Sequence, residues 1–424
     1  MSYFLSSVLL GSSFIGSPFR TIGHQDQPSW LFSGRDFEDN ILSIAQTLPM
    51  QARGNLEPWS DISWGFEKGL IAARYRSSRY EKLQLFPSRR SFIAQYSATN
   101  ILRNGTQEEL NSLSPAEKYD ALFSESQMTN GLARGIWDEA TRTYDRGTLA
   151  SWMGICEGWA AASVVEQEAI KPFVVKLDRW KRDLTFYPHD VKALTALAWS
   201  SFMLKTPVVG SRCSTLNPPV ACWDNNPATV FLAVINMLGR GKQNLFIDRN
   251  MDEAVWNSPV FAYSYSFYNV LDGKTRNSLN EALTPLIQYR NDPFASKRDP
   301  NASSVVGVKM NILIAKNKSL RSDQGSVKAD LEERPLNFDL EISQQGKILG
   351  GEWLGEKNFS DFLWSLPPIK RPMAQGELSL LWPSDIRLGS SLGSDIDDWA
   401  LTTGSKLQVF SRVIGALLEK GTQP

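Results

Sequence analysis

The sequence is poor in the residues that bind transition metals. It contains only two histidines, His24 and His189, and three cysteines among 424 residues. No Cys-x-x-Cys pattern is present, and zinc sites are built from clustered cysteine and histidine ligands. The sequence therefore argues against a zinc site, and we expect neither a metal nor another cofactor.

The sequence also has no excess of charge and no long apolar run. Its 45 basic and 45 acidic residues give a net charge of zero, which argues against a dedicated nucleic-acid or anionic-membrane binder. After the N-terminus, no stretch approaches the roughly 20 apolar residues of a membrane span. The hydrophobic content of 42% is that of an ordinary globular protein. This length favours two domains, although one large domain is an alternative. The oligomeric state is not defined by the sequence.

The cysteines are arranged as a closely spaced pair and a single distant residue. Cys213 and Cys222 enclose a short loop that contains Pro218 and Pro219, and a loop of that size can close with a disulfide. One bridge and one thiol, at Cys156, would suit an oxidising compartment. The alternative is three reduced thiols in a cytoplasmic protein.

The N-terminus has part of the pattern of an export signal. Residues 1–17 are apolar and rich in small side chains, as in the core and cleavage region of a signal peptide, but they lack a positively charged start. Either the true start lies upstream or this is a leader without export function. We expect an exported protein, secreted or periplasmic.

The stretch from Trp152 to Ser163 is the first candidate for chemistry. Cys156 is followed by a run of small helix formers, Ala160 to Ala162, and is preceded by Gly154, which permits a tight approach. A thiol at a helix N-terminus is favoured as the thiolate, which is the nucleophilic form. The sequence predicts a nucleophile that opens a helix lying against a sheet. The alternative is a buried structural cysteine between two tryptophans.

The predicted elements run from helices to strands. Ser114-Pro115-Ala116-Glu117 predicts a helix start, with serine as N-cap and glutamate reaching back from the third position. Alternation of apolar and polar residues at 263–268, 305–314 and 336–342 predicts antiparallel strands. Helices followed by an antiparallel sheet indicate an α+β fold.

Four segments follow from composition and pattern. They are a leader at 1–17, a helical region at 18–148, a core at 149–369 and an extension at 370–424. An amphipathic helix is predicted at 398–420, inside the extension.

Several short motifs in a fixed order resemble the transglutaminase elicitor family, which is known from oomycete cell-wall transglutaminases and also occurs in bacteria. The resemblance covers roughly Pro58 to Trp364. The motifs that carry it are Ser114-Pro-Ala-Glu-Lys-Tyr-Asp120, Trp152-x-Gly-Ile-Cys156-x-x-Trp159, Asp190-Val-Lys-Ala-Leu194, Gly210-Ser-Arg-Cys213, Cys222-Trp-Asp-Asn-Asn-Pro227, Asp248-Arg249, Val255-Trp-Asn-x-Pro259, Gly350-Gly-Glu-Trp353 and Asp361-Phe-Leu-Trp364.

The resemblance implies a papain-like cysteine fold and protein–glutamine γ-glutamyltransferase chemistry. A thiolate attacks a glutamine side-chain amide, ammonia leaves, and a lysine or other amine resolves the thioester. The partners it implies are a glutamine-bearing protein or peptide and an amine.

Specific residues take roles from the same resemblance. Cys156 matches the family nucleophile, and Asp248, at the end of a predicted strand on the sheet facing Cys156, matches a residue that orients an imidazole. The alternative for Asp248 is a turn residue paired with Arg249. The residues expected to line the substrate cleft are Trp152, Trp159, Phe231, Trp256 and Asn257, of which Asn257 is a candidate helper polar group.

The chain departs from the family pattern at both expected histidines. Val230-Phe231 stands where the pattern has one, and Phe359-Ser360 stands where it has the other. We expect Phe231 to take the place of the missing base, near the sulfur. A thiol acyltransferase needs a proton acceptor and donor, which phenylalanine cannot supply. His189 is either a substitute base or an exposed residue at a helix start.

Three interpretations remain open on the sequence. The chain is a working thiol acyltransferase or amide hydrolase, a degenerate member that binds without turnover, or an exported structural protein. In the third interpretation, Val255–Pro259 is an exposed recognition loop.

Overall fold

The computed structural model describes residues 26–32, 37–123, 125–202, 207–210, 225–249, 254–317, 328–355, 360–366 and 411–422. The predicted leader, the Cys213–Cys222 pair and most of the 370–424 extension lie outside these residues.

The helices are short, and most lie in the first half of the chain. In chain order they are α1 (Ile41–Thr47), α2 (Ser78–Glu81), α3 (Phe86–Gln95), α4 (Ala98–Asn104), α5 (Gln107–Asn111), α6 (Pro115–Ala121), α7 (Glu125–Asn130), α8 (Leu132–Asp145), α9 (Cys156–Val165), α10 (Pro188–Phe202), α11 (Pro227–Val234), α12 (Leu279–Ala282) and α13 (Ser411–Thr422).

The strands lie mostly in the second half, where three long ones dominate. In chain order they are β1 (Gln51–Arg53), β2 (Phe173–Leu177), β3 (Arg182–Phe186), β4 (Val208–Gly210), β5 (Leu245–Asp248), β6 (Asn257–Tyr268), β7 (Thr284–Pro285), β8 (Ala302–Lys316), β9 (Asp330–Ser343), β10 (Ile348–Trp353) and β11 (Phe362–Ser365). A π-helical turn, Ile235–Arg240, continues α11.

The chain divides into two compact units, each assembled from separated segments. The first unit comprises Met1–Pro58, Lys205–Lys316 and Asp330–Pro367, and the second comprises Trp59–Leu204, Asn317–Ala329 and Pro368–Pro424. The four segments predicted from the sequence are contiguous, whereas each compact unit combines separated segments. The predicted segments stay predictions.

The first unit is built on an antiparallel sheet. Within the described residues it has nine strands, in the order β10-β9-β8-β6-β5-β11-β4, with β1 beside β6 and β7 beside β8. The register between β8 and β9 extends from Ala302 opposite Ser343 to Lys316 opposite Asp330. Helix α11 packs against β9 and β10. Its apolar side chains join those of the strands in one core.

The second unit is mainly helical. Helices α9 and α10 pack against each other, and α13 packs against α10. The small antiparallel pair β2–β3 accompanies them. The predicted mixture of helices and antiparallel strands is therefore confirmed. No helix in the described ranges combines the length and the apolar character needed to cross a membrane.

The predicted helix start at Ser114 is present as a reciprocal capping box. The Ser114 hydroxyl accepts the backbone N–H of Glu117, and the Glu117 carboxylate accepts the backbone N–H of Ser114. The same carboxylate receives three hydrogen bonds from the Arg74 guanidinium, at 2.7, 2.9 and 3.2 Å. Glu117 therefore caps the N-terminus of α6 and also pairs with the buried Arg74.

A buried ion pair joins α6 to α10. Lys118 Nζ lies 2.6 Å from Asp190 Oδ2, and neither side chain is exposed. The same carboxylate oxygen accepts the backbone N–H of Tyr187 at 2.7 Å. Burial lowers the pKa of Lys118, and the facing carboxylate opposes that shift. A charge left alone in this place is costly, because the interior cannot solvate it.

We predict that Lys118→Met strongly destabilises the protein. Removing the cation leaves the Asp190 carboxylate buried, which costs about 3–5 kcal/mol when one partner of a buried pair is lost. Urea unfolding measures the loss. The control is Arg276→Met in the more exposed Arg276–Asp272 pair, where solvent screening makes the expected loss much smaller. Equal losses in the two variants would contradict the assignment.

The first unit contains a second buried charge cluster, around Arg298. Its guanidinium contacts Asp292, Asp339 and Glu341 at 2.9, 2.6 and 3.3 Å. Burial raises the pKa of Asp339. Burial also raises the pKa of Glu341 from 4.5 to about 7. The folded state therefore holds the Glu341 proton at a pH where the unfolded chain releases it.

We predict that the contribution of Glu341 to stability falls as pH rises. Below pH 4.5 both states are protonated, and between 4.5 and about 7 only the folded state binds the proton. The loss across that interval amounts to about 3 kcal/mol. Comparison of wild type with Glu341→Gln by urea unfolding across this range measures it.

Glu332 on the same strand serves as the control for Glu341. The hydrogen bond with Lys316 and the one with Arg334 lower its pKa, so its contribution is present above the ordinary pKa of glutamate and is lost as pH falls. Glu341→Gln and Glu332→Gln should therefore show opposite pH trends. A pH-independent difference between wild type and Glu341→Gln would show that the shift is absent.

Candidate active site

Cys156 occupies the first position of α9, as predicted. It is half-buried and present as a thiol rather than in a disulfide. The residue before it, Ile155, contributes no side-chain cap to the helix. The N-terminus of this ten-residue helix favours negative charge close to the sulfur. Local structure thus supplies one requirement of a thiolate nucleophile.

The approach to Cys156 is fixed by a backbone contact with the aromatic loop that begins at Trp59. Gly154 forms an isolated antiparallel bridge with Gly65, and the Phe66 N–H donates to Met153 O at 2.8 Å. A Cβ atom on Gly154 would lie 2.7 Å from the Trp64 carbonyl oxygen. Glycine is therefore required at position 154 for this approach.

The small residues of α9 pack against α10. A Cβ on Gly158 would lie 2.0 Å from Ala196 O in α10. Ala160, Ala161 and Ala162 are completely buried. Small side chains let the two helix backbones approach closely, and the predicted contact with the sheet that carries Asp248 stays a prediction.

Glu157, which the sequence analysis did not single out, lies beside the nucleophile. The Ser200 hydroxyl donates to Glu157 Oε1 at 2.5 Å. Burial raises the pKa of the Glu157 carboxyl, and the hydrogen bond from Ser200 opposes that shift. The sequence shows that Glu157 follows Cys156 directly, and this position could have marked it as a candidate. Its contact with Ser200 appears only in the folded structure.

The two tryptophans beside Cys156 differ in environment. Trp159 is buried, and its indole N–H donates to the Trp59 carbonyl at 3.0 Å. Trp59 in turn donates to the Glu166 carbonyl. Trp159 therefore has the contacts of a core residue, whereas Trp152 is half-exposed in the turn before the helix and stays a candidate for contact with substrate.

His189 is buried, not exposed at the helix start. Its Nδ1 lies 2.8 Å from Asp61 Oδ1, and the other oxygen of Asp61 accepts the Trp64 indole N–H at 2.8 Å. The His189 ring also meets Tyr75 edge-on. This histidine fixes the aromatic loop that contacts Gly154.

His189 lies in the first turn of α10. Ser200, which contacts the residue beside Cys156, is eleven positions further along that helix. At the rise of an α-helix, this separation corresponds to about 16 Å. The role of His189 as a substitute base stays a prediction.

The predicted residues of the first unit have local structural contacts. Asp248 is buried and accepts the backbone N–H of Trp256 at 2.8 Å, and Arg249 donates its backbone N–H to the Trp256 carbonyl. The Arg249 guanidinium lies 5.8 Å from the Trp256 ring centroid. Asn257 lies opposite Asp248 in the β5–β6 ladder, and its side-chain oxygen accepts the Trp364 indole N–H at 2.7 Å. Both the catalytic role of Asp248 and its alternative, a turn residue paired with Arg249, stay predictions.

The expectation of an exposed recognition loop at Val255–Pro259 is wrong for its second half. Asn257, Ser258 and Pro259 are buried at the start of β6. Only Val255 and Trp256 are partly exposed. The strand pairing with β5 draws the remaining three residues into the sheet.

Phe231 has the packing of a core residue rather than of a cleft residue. It is completely buried in α11 and meets Tyr265 and Phe338 edge-on, with ring centroids 5.2 and 6.2 Å away. Phenylalanine fits this apolar contact, and an imidazole would need a polar partner there. A role near the sulfur has no support from these contacts.

Two other expectations concern disulfide and metal. The predicted Cys213–Cys222 bridge lies outside the described residues. Among the residues that the structure describes, no group of three or more histidine, cysteine, aspartate or glutamate side chains is arranged to hold a metal ion.

Comparison with known proteins agrees with the motifs. The model of the family named Transglutaminase elicitor matches residues 34–379. Because the match spans well over half of the chain, the protein belongs to the transglutaminase elicitor family. The comparison with curated proteins gave no match.

A solved structure shares the fold. The crystal structure of the GP42 transglutaminase from Phytophthora sojae aligns with a TM-score of 0.53, covering 91% of this chain and 98% of that one. The identity is 19%, so the likeness establishes a common fold and leaves the activity of this chain to be tested.

We predict that Gly154→Ala distorts the approach to Cys156. The new methyl group would clash with the Trp64 carbonyl, and such overpacking costs about 1–3 kcal/mol. Urea unfolding and the rate of Cys156 alkylation should both show the damage. Gly65→Ala is the matched control, because its Cβ has 3.8 Å of clearance and its φ is −81°. Similar damage in both variants would contradict the prediction.

Proposed function

We propose that the protein is a protein–glutamine γ-glutamyltransferase-like acyltransferase, with Cys156 as nucleophile in a papain-like core. The observation that carries the proposal is the half-buried thiol at the first position of α9 in a member of this family. The substrates are a glutamine side chain in a protein or peptide and a primary amine such as lysine.

The proposed reaction proceeds through a thioester. The Cys156 sulfur attacks the side-chain amide carbon of glutamine, the carbon–nitrogen bond breaks, and ammonia leaves with one added proton. An amine then attacks the thioester, forms the new amide and restores the thiol. The helix N-terminus stabilises the attacking anion.

Asp248 accepts the Trp256 backbone N–H, and His189 pairs with Asp61. The catalytic roles of Asp248 and His189 stay predictions. We also propose an exported protein with a Cys213–Cys222 bridge, because that arrangement leaves Cys156 as the reactive thiol in an oxidising compartment.

A binding protein without turnover is the second candidate. The specific observation in its favour is that Val230 and Phe231, which replace one family histidine, are completely buried. Phe231 meets two aromatic rings, so this position offers no proton acceptor. Such a protein would bind glutamine peptides and release them unchanged.

We predict that wild type couples a fluorescent primary amine to a glutamine-containing protein and that Cys156→Ala does not. The reason is that the variant cannot form the thioester. Incorporation followed by gel fluorescence measures the reaction, and alkylation of Cys156 across pH reports thiol reactivity separately. Glu108→Gln, an exposed change on α5, is the control and should keep wild-type turnover.

Two results would overturn the transferase proposal. Turnover that persists in Cys156→Ala would remove the assigned nucleophile. Tight binding of a glutamine peptide by wild type, with no amine incorporation, would favour the binding protein.

A further inference from the structure

The C-terminal helix α13 lies outside the part of the chain that defines the family. The family model matches residues 34–379, whereas α13 spans Ser411–Thr422. The helix nevertheless belongs to the same compact unit as Cys156, and it packs against α10, the partner of the cysteine helix α9. An element outside the family match therefore contacts the helix pair that positions the proposed nucleophile.

One face of α13 is apolar and buried. The residues of this face, each at most 5% exposed and spaced so that they share one side of the helix, are Val413, Ile414, Leu417 and Leu418. Glu419, by contrast, is exposed. A helix of twelve residues is only marginally stable by itself in water. The docking of its apolar face is therefore what stabilises α13.

The last turn of α13 holds the segment of chain that follows α9. The carbonyl oxygen of Gly421 accepts the backbone N–H of Ile170 at 3.0 Å and that of Lys171 at 3.4 Å. The last carbonyl groups of a helix have no partner within the helix, and their partial negative charge attracts hydrogen-bond donors. A Cβ atom on Gly421 would lie 3.1 Å from Ala169 Cβ, so glycine permits this close approach.

The same connecting segment, residues 166–171, is also tied to α10. The Trp199 indole N–H donates to Glu166 Oε1 at 3.1 Å, and Lys192 Nζ donates to Glu168 Oε1 at 2.6 Å. The connecting segment thus receives side-chain contacts from α10 and a backbone acceptor from α13. Undocking of α13 would remove that acceptor from the segment and an apolar cover from α10.

We propose that α13 is a clamp on the cysteine helix. Docked on α10, it fixes the connecting segment and thereby holds α9 and its first residue, Cys156, in place. When α13 undocks, α9 loosens from α10 and the thiol loses its fixed position. The clamp goes beyond the proposed function, because it concerns the position of α9 and holds for a transferase and for a binding protein alike.

The test is amide hydrogen exchange, measured by mass spectrometry on the full-length protein under native conditions. Leu417→Ala removes part of the docking face, and loss of a fully buried leucine side chain weakens docking by about 30-fold or more. Exchange of the connecting segment and of α9 should therefore rise by about that factor in this variant. Gly421→Val crowds the contact with Ala169 and should raise exchange in the same two places, which keeps the test decisive where Leu417→Ala does not fold.

Two control variants separate the clamp from a general loss of stability. Leu102 is a fully buried leucine in the same unit, on α4, which packs against α5 and α7. Leu102→Ala should loosen those helices and leave the connecting segment and α9 protected. Glu419→Gln changes an exposed side chain of α13 and should match wild type throughout. Circular dichroism and urea unfolding show whether each variant is folded.

The outcomes decide between a clamp and a helix that is merely attached. Faster exchange of both the connecting segment and α9 in the α13 variants, with both controls at the wild-type rate there, supports the clamp. If the connecting segment loosens while α9 stays protected, α13 does not hold the cysteine helix and the proposal is overturned. It is also overturned if neither place changes, or if Leu102→Ala loosens α9 as much as Leu417→Ala does.

Discussion

The ion pair between Lys118 and Asp190 is the interaction on which the second unit depends. It connects α6 with the start of α10 and is sealed from solvent. Two neighbouring contacts extend it. Lys192, two residues after Asp190, donates to Glu168 at 2.6 Å and to the Ser60 carbonyl at 3.0 Å. Together these charges set the position of α10, and the close packing at Gly158 then sets α9 and the cysteine at its first position.

The family motifs acquire a physical meaning once their contacts are known. The Ser114–Asp120 motif supplies a helix cap, a cation for Asp190, and the Asp120 carboxylate, which accepts the first backbone N–H groups of α8. In the first unit, the Trp364 indole donates to Asn257. Trp353 likewise donates to the Asn225 carbonyl. Motif residues that are far apart in the sequence are thus partners in the fold.

Local patterns in the sequence were sufficient for much of the fold. The Ser114 cap, the strand alternation and the helix start at Cys156 depend on neighbouring residues, and the structure confirms them.

Other features depend on partners that are distant in the sequence. The exposed alternative for His189 is wrong, because Asp61, 128 positions away, binds it in the interior. Phe231 was aligned with a catalytic position, but the rings of Tyr265 and Phe338 define its environment. Ser200 carries no local signal, since only the approach of two helices brings it to Glu157.

The central claim is that Cys156 forms a thioester with a glutamine side chain. The most direct measurement is mass spectrometry of the protein after incubation with a glutamine peptide without added amine and quenching in acid. The account predicts an adduct on the Cys156-containing fragment with the mass of the peptide less one ammonia, and it predicts that hydroxylamine removes the adduct. An unmodified Cys156 under conditions in which iodoacetamide labels it readily would contradict the claim.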